Sequence, residues 1–238
     1  MRLGIITDIH SNIIALNAVL NEFKKRKVDK IICCGDIIGI GPNPEETVQN
    51  IIDIEEKLII VRGNHEQYLL KGLPKNVHDD KRQMSQDEIK NHEWVHSMLS
   101  EKSKKFISKI PLSQNIEIEN KRIYIVHYPF DEKGNYKKFI KKPSIEECEK
   151  LFNEKANIFL FGHTHTVSSN SKENKWYINS GSLGCPLKSN IAKAGVLDIK
   201  EGKINYEQLN IPYNVDEVIK EIKKLKFPFY EGILKIFY

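Results

Sequence analysis

Leu3-Gly-Ile-Ile-Thr-Asp8-Ile-His10 opens the chain with a short apolar run that ends on a carboxylate and an imidazole. Leu3 to Thr7 reads as a buried strand. The pattern repeats twice. Lys30 to Cys34 is a second buried strand and stops at Gly35-Asp36-Ile-Ile-Gly39. Leu58 to Val61 is a third and stops at Arg62-Gly-Asn-His-Glu66. Helices fill the gaps. Asn12 caps one whose apolar positions Ile13, Leu16, Val19, Leu20 and Phe23 recur at helical spacing. Pro44 starts another, with Glu45 and Glu46 in its first turn facing the positive end of the dipole. Strands that alternate with helices imply right-handed crossovers and a parallel sheet.

The segment from about residue 67 to 109 is polar and carries three histidines. It is expected to be a helical excursion over one face. Ile116 to Ile118 and Arg122 to His127 read as a hairpin around Glu119-Asn120-Lys121. Ser144 caps a helix to about Glu154, and Asn157 to Phe161 is another strand. Strands follow at Trp176 to Asn179, Ala194 to Ile199 and Lys203 to Leu209, then a helix from about Val215 to Leu225. With no repeat or flexible linker, one domain over 1–238 is expected.

The chain has 238 residues, 40% hydrophobic and 29% charged, which excludes wholesale disorder. The formal net charge of +5 permits an anionic substrate without demanding nucleic acid. The four cysteines, Cys33, Cys34, Cys148 and Cys185, form no CxxC pair. A reducing compartment is therefore expected, not a disulfide framework. The N-terminus turns acidic too soon for a signal peptide, and no apolar run approaches the ~20 residues of a membrane span. A cytoplasmic location is the expectation.

Polar groups fall repeatedly where apolar strands end. In an open α/β sheet the strand C-termini share the edge at which ligands bind. Five separated segments thus bring Asp8, His10, Asp36, Asn64, His65, His127, His163 and His165 to one rim. Imidazole and carboxylate without thiolate suit Mn, Fe, Zn, Co or Ni. Without His65, seven groups remain. They are too many for one tetrahedral site and fit two metals that share a carboxylate, for which Asp36, flanked by glycines, is the natural bridge. Two ions ~3.5–4 Å apart suit phosphoryl chemistry.

Asp8-x-His10, Gly35-Asp36-x-x-Gly39, Gly63-Asn64-His65-Glu66, His127 and Gly162-His-Thr-His165 resemble, in order, the five motifs of the calcineurin-like metallophosphoesterases. Gly39-Ile-Gly-Pro42 and Asn179-Ser-Gly-Ser-Leu-Gly-Cys-Pro186 resemble the prokaryotic branch grouped with diadenosine tetraphosphatase and Ser/Thr protein phosphatases. The resemblance implies a four-layer αββα sandwich. It implies that Asp8, His10, Asp36 and His165 hold one divalent ion and that Asp36, Asn64, His127 and His163 hold the other. It implies hydrolysis of phosphate mono- or diesters by a hydroxide bridging the ions, with His65 at the leaving oxygen and Arg62 in a further catalytic role. The expected partner is a small phosphorylated substrate, nucleotide-derived compounds included. Two positions depart from the family pattern: Ser11-Asn12 follows the first motif, and Tyr128 follows His127, where it would narrow the pocket or stack on a base.

His92-Glu93-Trp94-Val95-His96 spells the HExxH of zinc peptidases, but no clear third ligand follows. A scaffold that keeps the fold without the chemistry would not need every ligand position filled. A nuclease would want a longer basic stripe than Lys24-Lys25-Arg26-Lys27. Trp94 and Met98 share a helix face and are expected to pack on the core. The apolar tail from Phe227 to Tyr238 would pack on the body or form a homodimer surface.

Overall fold

Both faces of the first strand are apolar because both are covered. A computed structural model describes residues 1–77, 82–132 and 134–238. The elements run β1 (Arg2–Ile6), α1 (Ile13–Lys25), β2 (Lys30–Cys33), α2 (Pro44–Asp53), β3 (Leu58–Ile60), α3 (Asn64–Lys71), β4 (Asn76–Val77), β5 (Arg82–Gln83), α4 (Gln86–Met98), α5 (Glu101–Lys109), β6 (Ser113–Ile118), β7 (Lys121–Val126), α6 (Ile145–Leu151), β8 (Ile158–Leu160), β9 (Ser168–Lys172), β10 (Lys175–Asn179), β11 (Ile191–Lys200), β12 (Lys203–Pro212), α7 (Val215–Leu225) and α8 (Tyr230–Phe237).

Two five-stranded sheets stack. One has the order β12-β11-β1-β2-β3, the other β6-β7-β8-β10-β9. The period-two alternation of side chains sorts β1 between two cores. Leu3 and Ile5 join Ile123, Ile125, Ile158 and Leu160 between the sheets. Ile6 faces the other way, toward Leu16, Val19 and Phe23 of α1. The same outer core takes in Val48 of α2, Val95 of α4, Ile107 of α5, Val218 and Ile222 of α7 and Ile233 of α8. Beyond the second sheet, Cys148 and Leu151 of α6 pack on Tyr124, Phe159 and Tyr177. The result is the expected four-layer αββα sandwich. Leu160, fully buried between the sheets, is the point to test the packing. Leu160→Ala is expected to lower unfolding stability by ~2–5 kcal/mol in chemical denaturation.

The sheets are mixed, which corrects the expectation of a parallel one. β1, β2 and β3 are parallel, with Ile5 opposite Ile32. β11 joins β1 antiparallel and carries β12. In the second sheet β7, β8 and β10 are parallel, flanked by antiparallel β6 and β9. The strand ends that carry the expected donors all belong to the parallel cores, so within each sheet they share one edge.

The excursion is mostly helical but includes the β4–β5 pair; residues 78–81 lie outside the described residues. Trp94 stacks on Phe227 at 4.4 Å, whereas Met98 is exposed, against expectation. The tail packs on the body. It forms α8, and the Tyr238 hydroxyl donates to the Gly184 carbonyl. No helix among the described residues is long and apolar enough to cross a membrane.

Candidate metal centre

The strand ends deliver their polar groups in conformations a free chain avoids. Asp8, His10, Asp36, His163 and His165 all have φ between 49° and 69°. Left-handed backbone at non-glycine residues is sparsely populated and gathers at functional sites. Cross-links between strand ends hold it. Asp8 N–H donates to Gly35 O, and His10 N–H donates to Asp36 O, both at 3.0 Å. His163 N–H donates to the Asp8 carboxylate at 3.1 Å. Asn179 donates to Gly162 O and Thr164 Oγ1, fixing the loop that carries His163 and His165.

The seven expected donors meet in two overlapping groups. In the first, His10 Nε2 lies 2.9 Å from His165 Nε2, 3.7 Å from Asp8 Oδ1 and 3.9 Å from Asp36 Oδ2. His165 Nε2 is 3.4 Å from Asp8 Oδ1. In the second, His127 Nε2 lies 3.2 Å from Asp36 Oδ2 and 3.2 Å from Asn64 Oδ1. Asn64 Oδ1 is 2.9 Å from His163 Nδ1. Asp36 Oδ2 belongs to both groups. The tautomers suit ligation. His127 Nδ1 faces Cys34 O at 2.7 Å and His10 Nδ1 faces Ile38 O at 3.3 Å, so both rings turn Nε2 inward.

The electrostatics fit cations. Burial alone would raise both carboxylates. The imidazoles of His165 and His127 keep Asp8 below the usual carboxylate range, and those of His127, His65 and His10 do the same for Asp36. Burial pushes His10 down to about 4 and His163 down to about 3. Burial also opposes a charge on His127, yet Asp36 and Asp8 outweigh it and lift the ring to about 9. Two buried anions facing the ring nitrogens of several imidazoles, with His10 and His163 kept neutral by burial, suit divalent ions of the Mn-to-Zn series.

His65 lies on α3 with Nε2 4.0 Å from Asp36 Oδ2. Its Nδ1 is buried without a partner and sits against Gly39, where a Cβ could not fit. At Gly63 a Cβ would collide with Asp36 Oδ1, so only glycine lets α3 approach the bridging carboxylate. Arg62 follows β3; its Nε is buried without a hydrogen-bond partner, and its backbone N–H donates to Pro111 O at 2.9 Å.

Some functional groups were not foreseen. Glu66, fully buried, accepts from the backbone N–H groups of Asp36, Ile37, Ile38 and Gly63. It clamps the Asp36 loop to the start of α3. Burial and the Asp36 charge push it up to about 7, against the four donors that favour its ionised form. Nothing in the sequence distinguishes this clamp from an acid in the first turn of a helix. Cys185 faces His10 and His165. Tyr128 lies against the donor His163, with ring centroids 5.2 Å apart. It is fully buried, donates to Lys138 O and accepts from Ile140 N–H. Tyr136 is the residue stacked on His163, at 5.2 Å. As for HExxH, His92 is buried beside His65 and Tyr68, Glu93 is exposed, and neither joins a metal-capable group among the described residues.

Comparison with known proteins agrees with this architecture. The family model for the calcineurin-like phosphoesterase superfamily domain matches residues 1–202. MJ0912 of Methanocaldococcus jannaschii is 31% identical, over 97% of this chain and 95% of its own. Phosphodiesterase YfcE of Escherichia coli (strain K12) is 21% identical, over 83% of this chain and 88% of its own. The crystal structure of PH1004 from Pyrococcus horikoshii OT3 superposes with a TM-score of 0.83 at 18% identity, covering 100% of this chain and 97% of that one. The five strand-end motifs, the sandwich that gathers them and the matched family model together place this chain in the calcineurin-like phosphoesterase superfamily.

Proposed function

We propose that the chain is a dimetal-dependent phosphoesterase acting on small phosphate mono- or diesters, nucleotide-derived ones among them. The observation that carries this is Asp36 Oδ2 lying within 3.9 Å of both His10 Nε2 and His127 Nε2, each the centre of a separate donor group. Asp8, His10, Asp36 and His165 would hold one ion; Asp36, Asn64, His127 and His163 the other. The pair supplies Lewis acidity that makes water nucleophilic at neutral pH and neutralises charge on the phosphoryl oxygens. The protein's own groups do the rest. Glu66 keeps Asp36 in place. His65 turns Nε2 toward the centre. Burial, joined by its imidazole neighbours, keeps His65 well below the usual range although Asp36 pulls the other way. It therefore enters as a neutral N–H donor to the leaving oxygen, not as an imidazolium. Arg62 is retained as an auxiliary catalytic group.

A panel of a nitrophenyl monoester, a nitrophenyl diester and a dinucleoside polyphosphate tests the proposal. Hydrolysis of at least one that appears with Mn²⁺ and vanishes on chelation is expected. A preparation holding two ions that turns over none of them would refute it.

Metal binding should also be visible as proton release. His127 is lifted to about 9 without ions, so an ion at pH 7 displaces a proton from it. Because that value lies above the unfolded one, near 6.5, the His127–Asp36 attraction stabilises the chelated protein fully below pH 6.5. The contribution is lost as pH rises through 9. Thermal melts of chelated protein should fall across this window, and melts of metal-loaded protein should fall less.

A further inference from the structure

Beside the imidazole and carboxylate donors stands a buried thiol, that of Cys185. The ligand atoms of His10, His165 and Cys185 all lie within 4.8 Å of one another. A nitrogen and a sulfur on one tetrahedral zinc ion stand about 3.6 Å apart, so from within 4.8 Å a rotation of the Cys185 side chain brings its sulfur into reach. Cys185 is therefore not a lone thiol. It joins two imidazoles whose Nε2 atoms already approach to 2.9 Å, with Asp8 Oδ1 3.4 Å from one of them.

The thiol is also held there. Cys185 is 3% exposed. Its N–H donates to Ser182 Oγ, and that hydroxyl donates to Asp8 O at 2.8 Å. Gly184 N–H donates to the same carbonyl at 2.9 Å. Gly184 lies against Ile9 O with no space for a Cβ. Asn12 and Tyr238 donate to Gly184 O from the other side. The end of β1, which carries Asp8 and His10, and the loop carrying Cys185 thus form one braced unit. Cys33, Cys34 and Cys148 enter no such group among the described residues.

Resting on the two-ion reading, we infer that Cys185 is a sulfur ligand to the ion held by Asp8, His10 and His165. On binding, the S–H bond breaks, its proton leaves to solvent and sulfur donates to the ion. The two halves then differ in chemistry. The half with Cys185 favours zinc, cobalt or ferrous iron, which accept thiolate. The half with Asn64, His127 and His163 tolerates the harder manganese.

The test is X-ray absorption of the full chain loaded with zinc to two equivalents, with cobalt(II) absorption as a second readout. One sulfur at about 2.3 Å from half of the zinc is expected, as is a sulfur-to-cobalt charge-transfer band in the near ultraviolet. Cys185→Ser should lose both signals and weaken zinc at one site by about tenfold or more, with manganese affinity far less changed. Two bound zinc ions with no sulfur neighbour would overturn the inference while sparing the dimetal reading. Failure to bind zinc at all would overturn both. Should the Ser variant misfold, the spectrum of the unaltered chain still decides.

Discussion

Asp36→Asn will bind both ions poorly and lose on the order of 10³-fold or more in kcat/KM. One oxygen of Asp36 serves both donor groups, at 3.9 Å from His10 Nε2 and 3.2 Å from His127 Nε2. An amide in its place removes the charge between the sites without changing the volume. The other carboxylate oxygen accepts from His65 N–H at 2.9 Å. An asparagine with its oxygen turned that way presents an NH₂ to both ion positions. Metal analysis after gel filtration, alongside turnover, reads both effects. A variant that keeps two ions and its rate would show that Asp36 bridges nothing. A circular dichroism spectrum like that of the parent separates this from unfolding.

His65→Ala will keep the ions and lose ~10²–10⁴-fold in kcat. A ligand atom of His65 lies within 4.8 Å of those of His10 and Asp36, yet both ions have four donors in the proposed centre without it; its Nδ1 sits against Gly39 and its Nε2 is 4.0 Å from Asp36 Oδ2. A neutral imidazole that donates to the leaving oxygen matters more as that oxygen becomes more basic. The loss should be severe for an alkyl phosphate and small for a nitrophenyl phosphate, whose leaving group needs little help. Equal losses on both substrates would contradict the donor role. Loss of metal together with activity would make His65 a ligand instead.

The donors were legible because each follows a short apolar strand. After Leu3–Ile6 or Lys30–Cys33 a charged group stands out, and the parallel topology brings such ends together. The clamp was not legible. Glu66 sits in the first turn of a helix, where a solvated acid is common, and only the tertiary fold shows its four backbone donors. Cys185 carried no signal beyond belonging to no CxxC pair; it is buried, and its neighbours His10 and His165 are what distinguish it. Tyr128 stood next to a donor in sequence and does lie against His163, but Tyr136, which no strand end announced, stacks on the same ring from a loop. β9 reads Ser-Ser-Asn-Ser-Lys, with no apolar side chain to signal a strand, and forms because it caps a sheet edge through its backbone. α8 was hidden by Pro228 and by Phe229, whose left-handed backbone (φ 67°) restarts the chain as a helix.

Anomalous diffraction at the manganese edge, from crystals grown with Mn²⁺, tests the shared-carboxylate centre most directly. Two peaks ~3.5–4 Å apart, with Asp36 between them, Asp8, His10 and His165 around one and Asn64, His127 and His163 around the other, are predicted. A single peak, or peaks elsewhere with the seven side chains left uncoordinated, would contradict it.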